Sequence, residues 1–332
     1  MRFVIFGAGA VGSTVGAHFA RAGTDILLIG DPPHIEKIHT DGLKMSGKYG
    51  EFVTTPPACS SLDTWKFQPN DVVFLCVKTY DTPVAIEQLH TKIPPETPIF
   101  CLQNTMTNEE LVSEHFSNVY GAALHLGSRF VFPGEVSHLG GNSLVIGRYP
   151  EGIDKTAEQA VAALQAASMG GALTDEIVAC KWAKFCINLM NAPAAILDVS
   201  GAEAFNDQDA RLFFGEMLAE AQNVLAKAEI KLKTLPGDQP LPALVTALQR
   251  THFTPKQLPD RSTHVFPSMW QDVFCRRGRT EARYLNGRVN DMGQQLGLDT
   301  PLNALLTQVV DRMAERRELP GSYTLSDLRR ML

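Results

Sequence analysis

The sequence lacks several features that mark particular classes of protein. Its six cysteines form no C-x-x-C pair, and its nine histidines form no H-E-x-x-H or H-x-x-E-H motif, so a metal site has little support. No apolar run approaches the roughly 18 residues that a membrane span needs. The net charge of −6 leaves no basic excess for nucleic acid, so neither a membrane nor a nucleic acid is an expected partner.

The N-terminus also lacks the pattern of a signal peptide, because glycines interrupt its apolar run and Arg2 alone precedes it. Cys76 and Cys101 lie inside apolar, strand-like runs, as small buried residues of a reducing compartment do. We therefore expect a cytoplasmic globular protein. Its 332 residues predict about two domains.

The most informative stretch is the N-terminal one. The apolar run from Phe3 to Phe6 predicts a buried strand, and Gly7, Gly9 and Gly12 follow it in the spacing G-x-G-x-x-G before a helix-compatible segment. Strand, tight turn and helix form the context in which this motif binds the pyrophosphate of a dinucleotide. The alternative is a glycine-rich turn without a ligand. The predicted cofactor-binding loop comprises Gly7, Ala8, Gly9, Ala10, Val11 and Gly12.

Three polar residues follow further predicted strands. A strand at Asp25–Ile29 completes a βαβ unit, and Asp31 then stands where this motif places a ribose-binding acid. Lys78 follows the apolar run 71–77, and Asn104 follows the run 98–102. Ligands of open parallel sheets bind at the carboxyl ends of the strands, so we expect these residues to face one crevice. The alternative for Lys78 and Asn104 is that they are solvated loop residues.

The pattern changes near residue 154 from strands alternating with helices to helices alone. The sequence predicts a Rossmann-type, doubly wound parallel sheet domain over residues 1–172 and an all-α domain over residues 173–332. Residues 128–147 predict antiparallel strands with turns at Pro133-Gly134 and at Gly140-Gly141-Asn142. Helices are predicted at 154–168, 176–197, 207–228, 239–250, 277–296 and 301–316. The longest irregular stretch is 251–268.

The predicted helix 176–197 carries Lys184, Asn188 and Asn191 at spacings of i, i+4 and i+7, which places them on one face. A polar stripe on an apolar helix predicts a cleft between two domains, or alternatively a buried polar network that ties them together. Ser268 and Glu281 belong to a third polar cluster, in which Glu281 by itself is more typical of a surface carboxylate.

These motifs together resemble the ketopantoate reductase (2-dehydropantoate 2-reductase) family over nearly the whole chain. The resemblance rests on Gly7-Ala-Gly-Ala-Val-Gly12, Val77-Lys78-Thr79, Leu102-Gln-Asn104, Lys184-x-x-x-Asn188, Ser268-Met-x-Gln-Asp272, Thr280-Glu281, Leu285-Asn-Gly287 and Leu296-Gly-Leu-Asp-Thr-Pro301-Leu-Asn303.

The resemblance implies a reductase of a small 2-keto acid that uses NADH or NADPH and forms a homodimer. It implies that Lys184 is the general acid and that Glu281 lies near this lysine, the substrate and the cofactor. The substrate-binding residues would be Asn188, Asn191, Ser268 and Asn104, and the cofactor would also contact Lys78 and Asn104. Two alternatives are a related two-domain hydroxyacid dehydrogenase with another substrate and a dinucleotide-binding sensor without turnover.

The chain departs from the family pattern at several positions. Thr105 and Ala192 stand where the family usually has Gly and Asn, and Val265 and Pro267 replace polar residues before Ser268. The catalytic positions persist, whereas the substrate pocket is altered. Asp31 stands where NADPH-dependent members carry an Arg, so the sequence predicts a preference for NADH.

Overall fold

The computed structural model describes residues 1–332, which divide into two compact units at residues 1–181 and 182–332. The domain boundary predicted at residue 172 lies before this division, because the helix that begins at Ile177 contributes its first residues to the N-terminal unit. None of the helices is both long and apolar enough to cross a membrane.

The N-terminal unit contains all ten strands. They are β1 (Arg2–Phe6), β2 (Ile26–Ile29), β3 (Leu43–Gly47), β4 (Phe52–Thr54), β5 (Ala58–Cys59), β6 (Asp71–Leu75), β7 (Ile99–Cys101), β8 (Val119–Phe132), β9 (Glu135–Arg148) and β10 (Gly170–Leu173). Its helices are α1 (Ala10–Arg21), α2 (Pro32–Asp41), α3 (Thr82–His90), α4 (Asn108–Ser113) and α5 (Lys155–Ala166), and α6 (Ile177–Asn188) begins in it.

The strands form one mixed sheet in the order β4-β3-β9-β8-β7-β6-β1-β2-β5, with β10 paired to β9. The run from β8 to β5 is parallel throughout, and only the pairs β3–β4 and β8–β9 are antiparallel. Phe3 in β1 lies opposite Ile26 in β2 and Val72 in β6. The predicted Rossmann-type sheet is confirmed, with an antiparallel hairpin added to its parallel half.

Helices cover both faces of the parallel strands, which explains why these strands are apolar at nearly every position. Successive side chains point to opposite faces, so Phe3 and Phe74 join one core while Val4 and Val73 join the other. Phe3 makes an edge-to-face contact with Phe19 of α1, with ring centroids 4.8 Å apart. β1 lies inside the parallel run, between β6 and β2, so the glycine motif that follows it lies near the middle of that run.

The hairpin differs from its prediction. β8 and β9 are two long strands joined at Pro133-Gly134, and the second predicted turn, at 140–142, is an irregularity inside β9. Gly127 faces Gly140 so closely that a Cβ on Gly127 would lie 2.9 Å from the Gly140 carbonyl oxygen. Two facing glycines let the ladder shift register and continue, where the sequence suggested a reversal.

The C-terminal unit contains no strand, which confirms the predicted all-α region. Its helices are α7 (Asn191–Leu197), α8 (Gly201–Asn206), α9 (Gln208–Lys227), α10 (Leu241–Leu248), α11 (Ser268–Phe274), α12 (Asn286–Leu296), α13 (Pro301–Glu315) and α14 (Leu325–Met331). The sequence did not predict α11 or α14, each of which has only seven residues. Helices this short depend on tertiary packing.

A buried histidine pair joins α1 to the hairpin. His18 Nε2 lies 2.9 Å from His138 Nδ1, and His138 Nε2 lies 2.6 Å from the carbonyl oxygen of Gly141. Since a carbonyl only accepts, His138 carries its hydrogen on Nε2, and its Nδ1 accepts from His18. Burial, with smaller contributions from His138 and Arg21, lowers the pKa of His18 to about 4.

We expect this pair to make stability depend on pH. The unfolded histidine binds a proton near pH 6.5, so stability decreases as the pH falls from there to the folded pKa of about 4. The loss is on the order of 3 kcal/mol. A His18→Gln variant can still donate to His138 but does not titrate. Melting temperatures measured across this pH range should therefore fall less in His18→Gln than in wild type, and parallel curves would contradict the assignment.

Candidate active site

The loop after β1 is built from two glycines that no other residue replaces without a clash. Gly7 has a φ of +102°, and a Cβ there would lie 2.7 Å from the backbone nitrogen of Val77. A Cβ on Gly12 would collide with the carbonyl oxygen of Gly7 and lie 2.9 Å from Cγ2 of Ile5. The first turn of α1 therefore packs directly against β1 and β6.

Gly9 differs from its neighbours because the space beside it is open. It is the N-cap of α1, and a Cβ built on it would meet nothing within 4 Å. The N–H groups of the first turn, which begins at Ala10, have no carbonyl partner in their own helix. An open backbone at the start of a twelve-residue helix fits a pyrophosphate, which needs close approach and N–H donors.

The other predicted cofactor residues lie at the same edge of the sheet. Asp31, Lys78 and Asn104 follow the carboxyl ends of β2, β6 and β7, which are the parallel strands around β1. Lys78 and Asn104 are half-buried, and Asp31 is exposed. The structure thus brings the predicted loop and these three residues to one edge, where ligands of such sheets bind.

The surroundings of Asp31 provide few donors for an anion. Asp31 is the N-cap of α2, whose first two residues, Pro32 and Pro33, have no backbone N–H. The end of β2 also lies against the glycine loop, since a Cβ on Gly30 would be 2.7 Å from Cβ of Ala8. This corner of the sheet therefore presents a carboxylate beside a helix start that lacks its first two N–H groups.

A second histidine fixes α2 beside α1. His34 is buried, and its Nδ1 accepts a hydrogen bond of 2.8 Å from the backbone N–H of Gly134. Its Nε2 therefore carries the hydrogen and donates to Ser13 Oγ, 2.9 Å away, in the second turn of α1. The glycine loop and Asp31 are thus held by two helices that are bonded to each other.

In the C-terminal unit, Lys184 and Asn188 lie one helical turn apart on α6. Lys184 is half-buried, and burial lowers the pKa of its ammonium group against the opposing effect of the Asp238 carboxylate. Asn188 is only 7% exposed, and its buried Nδ2 makes no hydrogen bond. An unpaired buried donor costs about 1–3 kcal/mol, so it calls for a function. The pair offers a readily deprotonated acid and an amide donor on one helix face.

Asn191 does not continue that face, contrary to the prediction of one helix over 176–197. Helix α6 ends at Asn188 and α7 begins at Asn191. Pro193 has no N–H to donate to the carbonyl of Leu189, four residues earlier, so the helix cannot continue through this point. Asn286 Nδ2 donates to that carbonyl instead, at 3.3 Å. Asn191 is therefore the first residue of α7 and does not belong to the helix that carries Lys184 and Asn188.

Ser268 and Glu281 also lie in this unit, in places the sequence did not predict. Ser268 is the first residue of α11, which packs against α7, and its half-buried hydroxyl makes no hydrogen bond. Glu281 is 8% exposed and precedes a 3₁₀ turn at Ala282–Tyr284. The expectation of a surface carboxylate in a helical first turn was therefore wrong, because α12 begins only at Asn286.

Two groups around these residues gave no clear signal in the sequence. The Asp238 carboxylate raises the pKa of Lys184 against the effect of burial, and this aspartate lies in a loop with Pro and Gly that matches no motif. Asn286 entered the sequence prediction only as part of the family motif Leu285-Asn-Gly287. In the structure it is fully buried, and its Nδ2 also donates to Asn303 Oδ1 at 3.0 Å. Pro193, which lies inside the helix predicted over 176–197, was the signal that would have predicted the break between α6 and α7.

We expect glycine-to-alanine variants to separate folding from binding in the glycine loop. Gly9→Ala adds a methyl group to open space, so its melting temperature should stay within about 2 °C of wild type. The same methyl group would obstruct the pyrophosphate and raise the Kd for NADH at least about tenfold. Gly12→Ala is the contrasting variant, with a large fall in melting temperature. Unchanged NADH binding by Gly9→Ala, measured by fluorescence titration, would show that the pyrophosphate does not pass here.

Comparison with known proteins agrees with the resemblance. The family model described as "Ketopantoate reductase PanE/ApbA" matches residues 3–151, and that described as "Ketopantoate reductase PanE/ApbA C terminal" matches residues 176–314. A 2-dehydropantoate 2-reductase of Pyrococcus horikoshii is 31% identical over 312 residues, which are 93% of this chain and 96% of that protein.

Two solved structures are similar in fold. A PanE/ApbA family ketopantoate reductase from Ralstonia eutropha JMP134 has a TM-score of 0.79 at 24% identity, covering 96% of this chain and 99% of that one. A ternary structure of D-mandelate dehydrogenase with NADH and anilino(oxo)acetate has a TM-score of 0.81 at 24% identity, with the same coverage. Family models that match both units, and a relative 31% identical over 93% of the chain, show that this protein belongs to the ketopantoate reductase family.

Proposed function

We propose that this oxidoreductase reduces the carbonyl group of a small 2-keto acid, with ketopantoate as the default substrate. The observation that carries the proposal is the pair on α6: a lysine whose pKa burial lowers, and one turn away a buried asparagine whose Nδ2 has no partner. A 2-keto acid offers only acceptor oxygens at its reacting end, so it complements a proton donor beside an amide donor.

Lys184 acts as the general acid in this proposal. A nicotinamide cofactor held at the glycine loop would supply the hydride for the carbonyl carbon. Negative charge then develops on the carbonyl oxygen, and the protonated Nζ of Lys184 stabilises it and donates a proton. Because burial lowers the pKa of this ammonium group, it gives up its proton more readily than an exposed lysine does.

Asn188, Asn191 and Ser268 hold the substrate. Their amide and hydroxyl groups donate to the carboxylate and to the oxygen under reduction, and each position belongs to a different helix of one unit. Glu281 is buried in the same unit and can accept from the product hydroxyl or from the lysine ammonium. Two or three donors held in fixed positions orient the carbonyl of the substrate. Proton transfer from Lys184, which is also held in place on its helix, requires this orientation.

Residues beside these donors set the shape of the pocket. Ala192 is fully buried beside Asn191, and Pro267 is the N-cap before Ser268. Where the family resemblance puts polar residues, these two contribute only apolar side chains. We therefore propose, as the alternative to ketopantoate, a 2-keto acid with the same reacting end and a side chain less polar than the hydroxylated one of ketopantoate.

A substrate panel and one variant test the proposal together. Oxidation of NADH should occur with at least one of ketopantoate, 2-ketoisovalerate and phenylglyoxylate. Lys184→Ala should then reduce kcat by about 10²–10⁴-fold without changing NADH binding, because only the proton transfer is lost.

The wild-type kcat should fall as pH rises through the lowered pKa of Lys184, since only the protonated ammonium group donates.

Lys227→Ala is the matched control, because this lysine is exposed on α9 of the same unit. It should keep wild-type kinetics. A Lys184→Ala enzyme with near wild-type kcat would remove Lys184 from the mechanism. Tight NADH binding without turnover of any keto acid would instead favour the sensor alternative.

We propose further that the cofactor is NADH. The Asp31 carboxylate accepts hydrogen bonds from ribose hydroxyls and repels the dianionic 2′-phosphate of NADPH. The structure strengthens this argument, because the helix start next to Asp31 consists of Pro32 and Pro33, which have no N–H for a phosphate. Lys37, one turn further on, is already paired with Asp41 at 3.3 Å.

Replacement of one residue should therefore change the cofactor ratio. Wild type should have a higher kcat/KM with NADH than with NADPH, and Asp31→Arg should shift the ratio toward NADPH by about tenfold or more. Asp31→Asn is the matched control, because it removes the charge without adding a phosphate ligand, and should give an intermediate ratio. A wild-type preference for NADPH would refute the proposal.

A further inference from the structure

A cluster of buried polar side chains lies beneath the carboxyl ends of β6 and β7. All of its members are at least nine-tenths buried, although three are threonines and two are amides. They are Thr79, Thr82, Gln103, Thr105 and Asn108. Thr107 is the N-cap of α4, and the side chain of Asn108, the first residue of that helix, is hydrogen-bonded within this cluster.

The hydrogen bonds of the cluster converge on Thr105. Its Oγ1 accepts from Asn108 Nδ2 at 2.8 Å and lies 2.9 Å from Thr79 Oγ1. Asn108 Oδ1 in turn accepts from Thr82 Oγ1 at 2.8 Å. Thr105 is fully buried, so water cannot take over either bond if its hydroxyl is removed.

The bond between the two threonines joins the segments that carry two site residues. Thr79 directly follows Lys78 after β6, and Thr105 directly follows Asn104 after β7. These strands are parallel neighbours, but their ladder ends at Leu75 and Cys101. Beyond that point, side-chain hydrogen bonds join the two segments. The Thr79–Thr105 bond is the one nearest to Lys78 and Asn104, and Gln103 Nε2 also donates to Thr82 Oγ1 at 3.2 Å.

Thr105 is also a position at which this chain departs from its family, where glycine is usual. A glycine has no hydroxyl, so it could accept nothing from Asn108 and donate nothing to Thr79. The Thr105 hydroxyl therefore provides a link that a glycine would lack, and this link lies one residue from each of Lys78 and Asn104 at the edge of the sheet.

We propose that Thr105 is a positioning residue that sets the distance between Lys78 and Asn104 and thereby the affinity for the nicotinamide cofactor. This inference rests on the proposed function and on the expectation, from the family resemblance, that both residues contact the cofactor. Thr105 itself touches no ligand. Its hydroxyl acts through the two segments that it joins, as supporting hydrogen bonds do around other binding sites.

The test is a set of substitutions at Thr105 with NADH binding as the primary measurement. Thr105→Val keeps the shape and removes the hydroxyl, and should raise the Kd and KM for NADH by roughly tenfold while kcat changes little. Thr105→Ser retains the hydroxyl and should restore wild-type values. Thr105→Gly, which introduces the usual family residue, also removes the hydroxyl and should weaken NADH binding to a similar extent. It provides the test if the Val variant does not fold.

Thr97→Val is the matched control at the other end of the same strand. Thr97 is buried just before β7, and its hydroxyl has no hydrogen-bond partner, so this variant should bind NADH like wild type. A Thr105→Val or Thr105→Gly protein with wild-type NADH affinity would overturn the proposal, even if its melting temperature fell. Because binding is measured without a keto acid, failure of the proposed reaction would show separately, as absence of turnover in wild type.

Discussion

The missing N–H of Pro193 is the constraint on which the helical unit depends. It prevents α6 from continuing past Asn188 and leaves the carbonyl of Leu189 without its helical partner. Asn286, from the start of α12, donates to that carbonyl and to Asn303 of α13, so one buried amide links α12 and α13 to the break between α6 and α7. The break places Asn188 and Asn191 on two separate helices.

The N-terminal unit depends on a different constraint, which is close backbone approach. Gly7 and Gly12 leave no room for a side chain, whereas Gly9 between them faces open space. The first two glycines therefore belong to the packing of α1 on the sheet, whereas the backbone of Gly9 is open and leaves room for a ligand. The motif therefore contains glycines of both kinds. The atoms around each glycine distinguish the two kinds, whereas the spacing of the glycines in the sequence does not.

The Nδ2 groups of the buried asparagines differ in a similar way, by whether they are hydrogen-bonded within their unit. Asn286, Asn303, Asn108 and Thr105 are buried and bonded to other parts of their own unit, and they hold helices or loops in place. Asn188 is buried with an unbonded Nδ2, beside a lysine whose pKa burial lowers. The cost of leaving such a donor unpaired is the physical reason to assign it to a substrate.

The sequence by itself determined what depends on local pattern: the βαβ unit around Gly7–Gly12, the apolar strands β6 and β7, the helical C-terminal region and the family. Residues identified by type and spacing, such as Lys78 and Asn104, lie at the predicted sheet edge because parallel strands end together. Only the tertiary structure decided the burial of Glu281, the break before Asn191, the continuous hairpin and the place of Asn108. Each of these depends on a partner distant in the chain, such as Asn286 for Leu189 or Gly140 for Gly127, and no local pattern specifies which partner a residue meets.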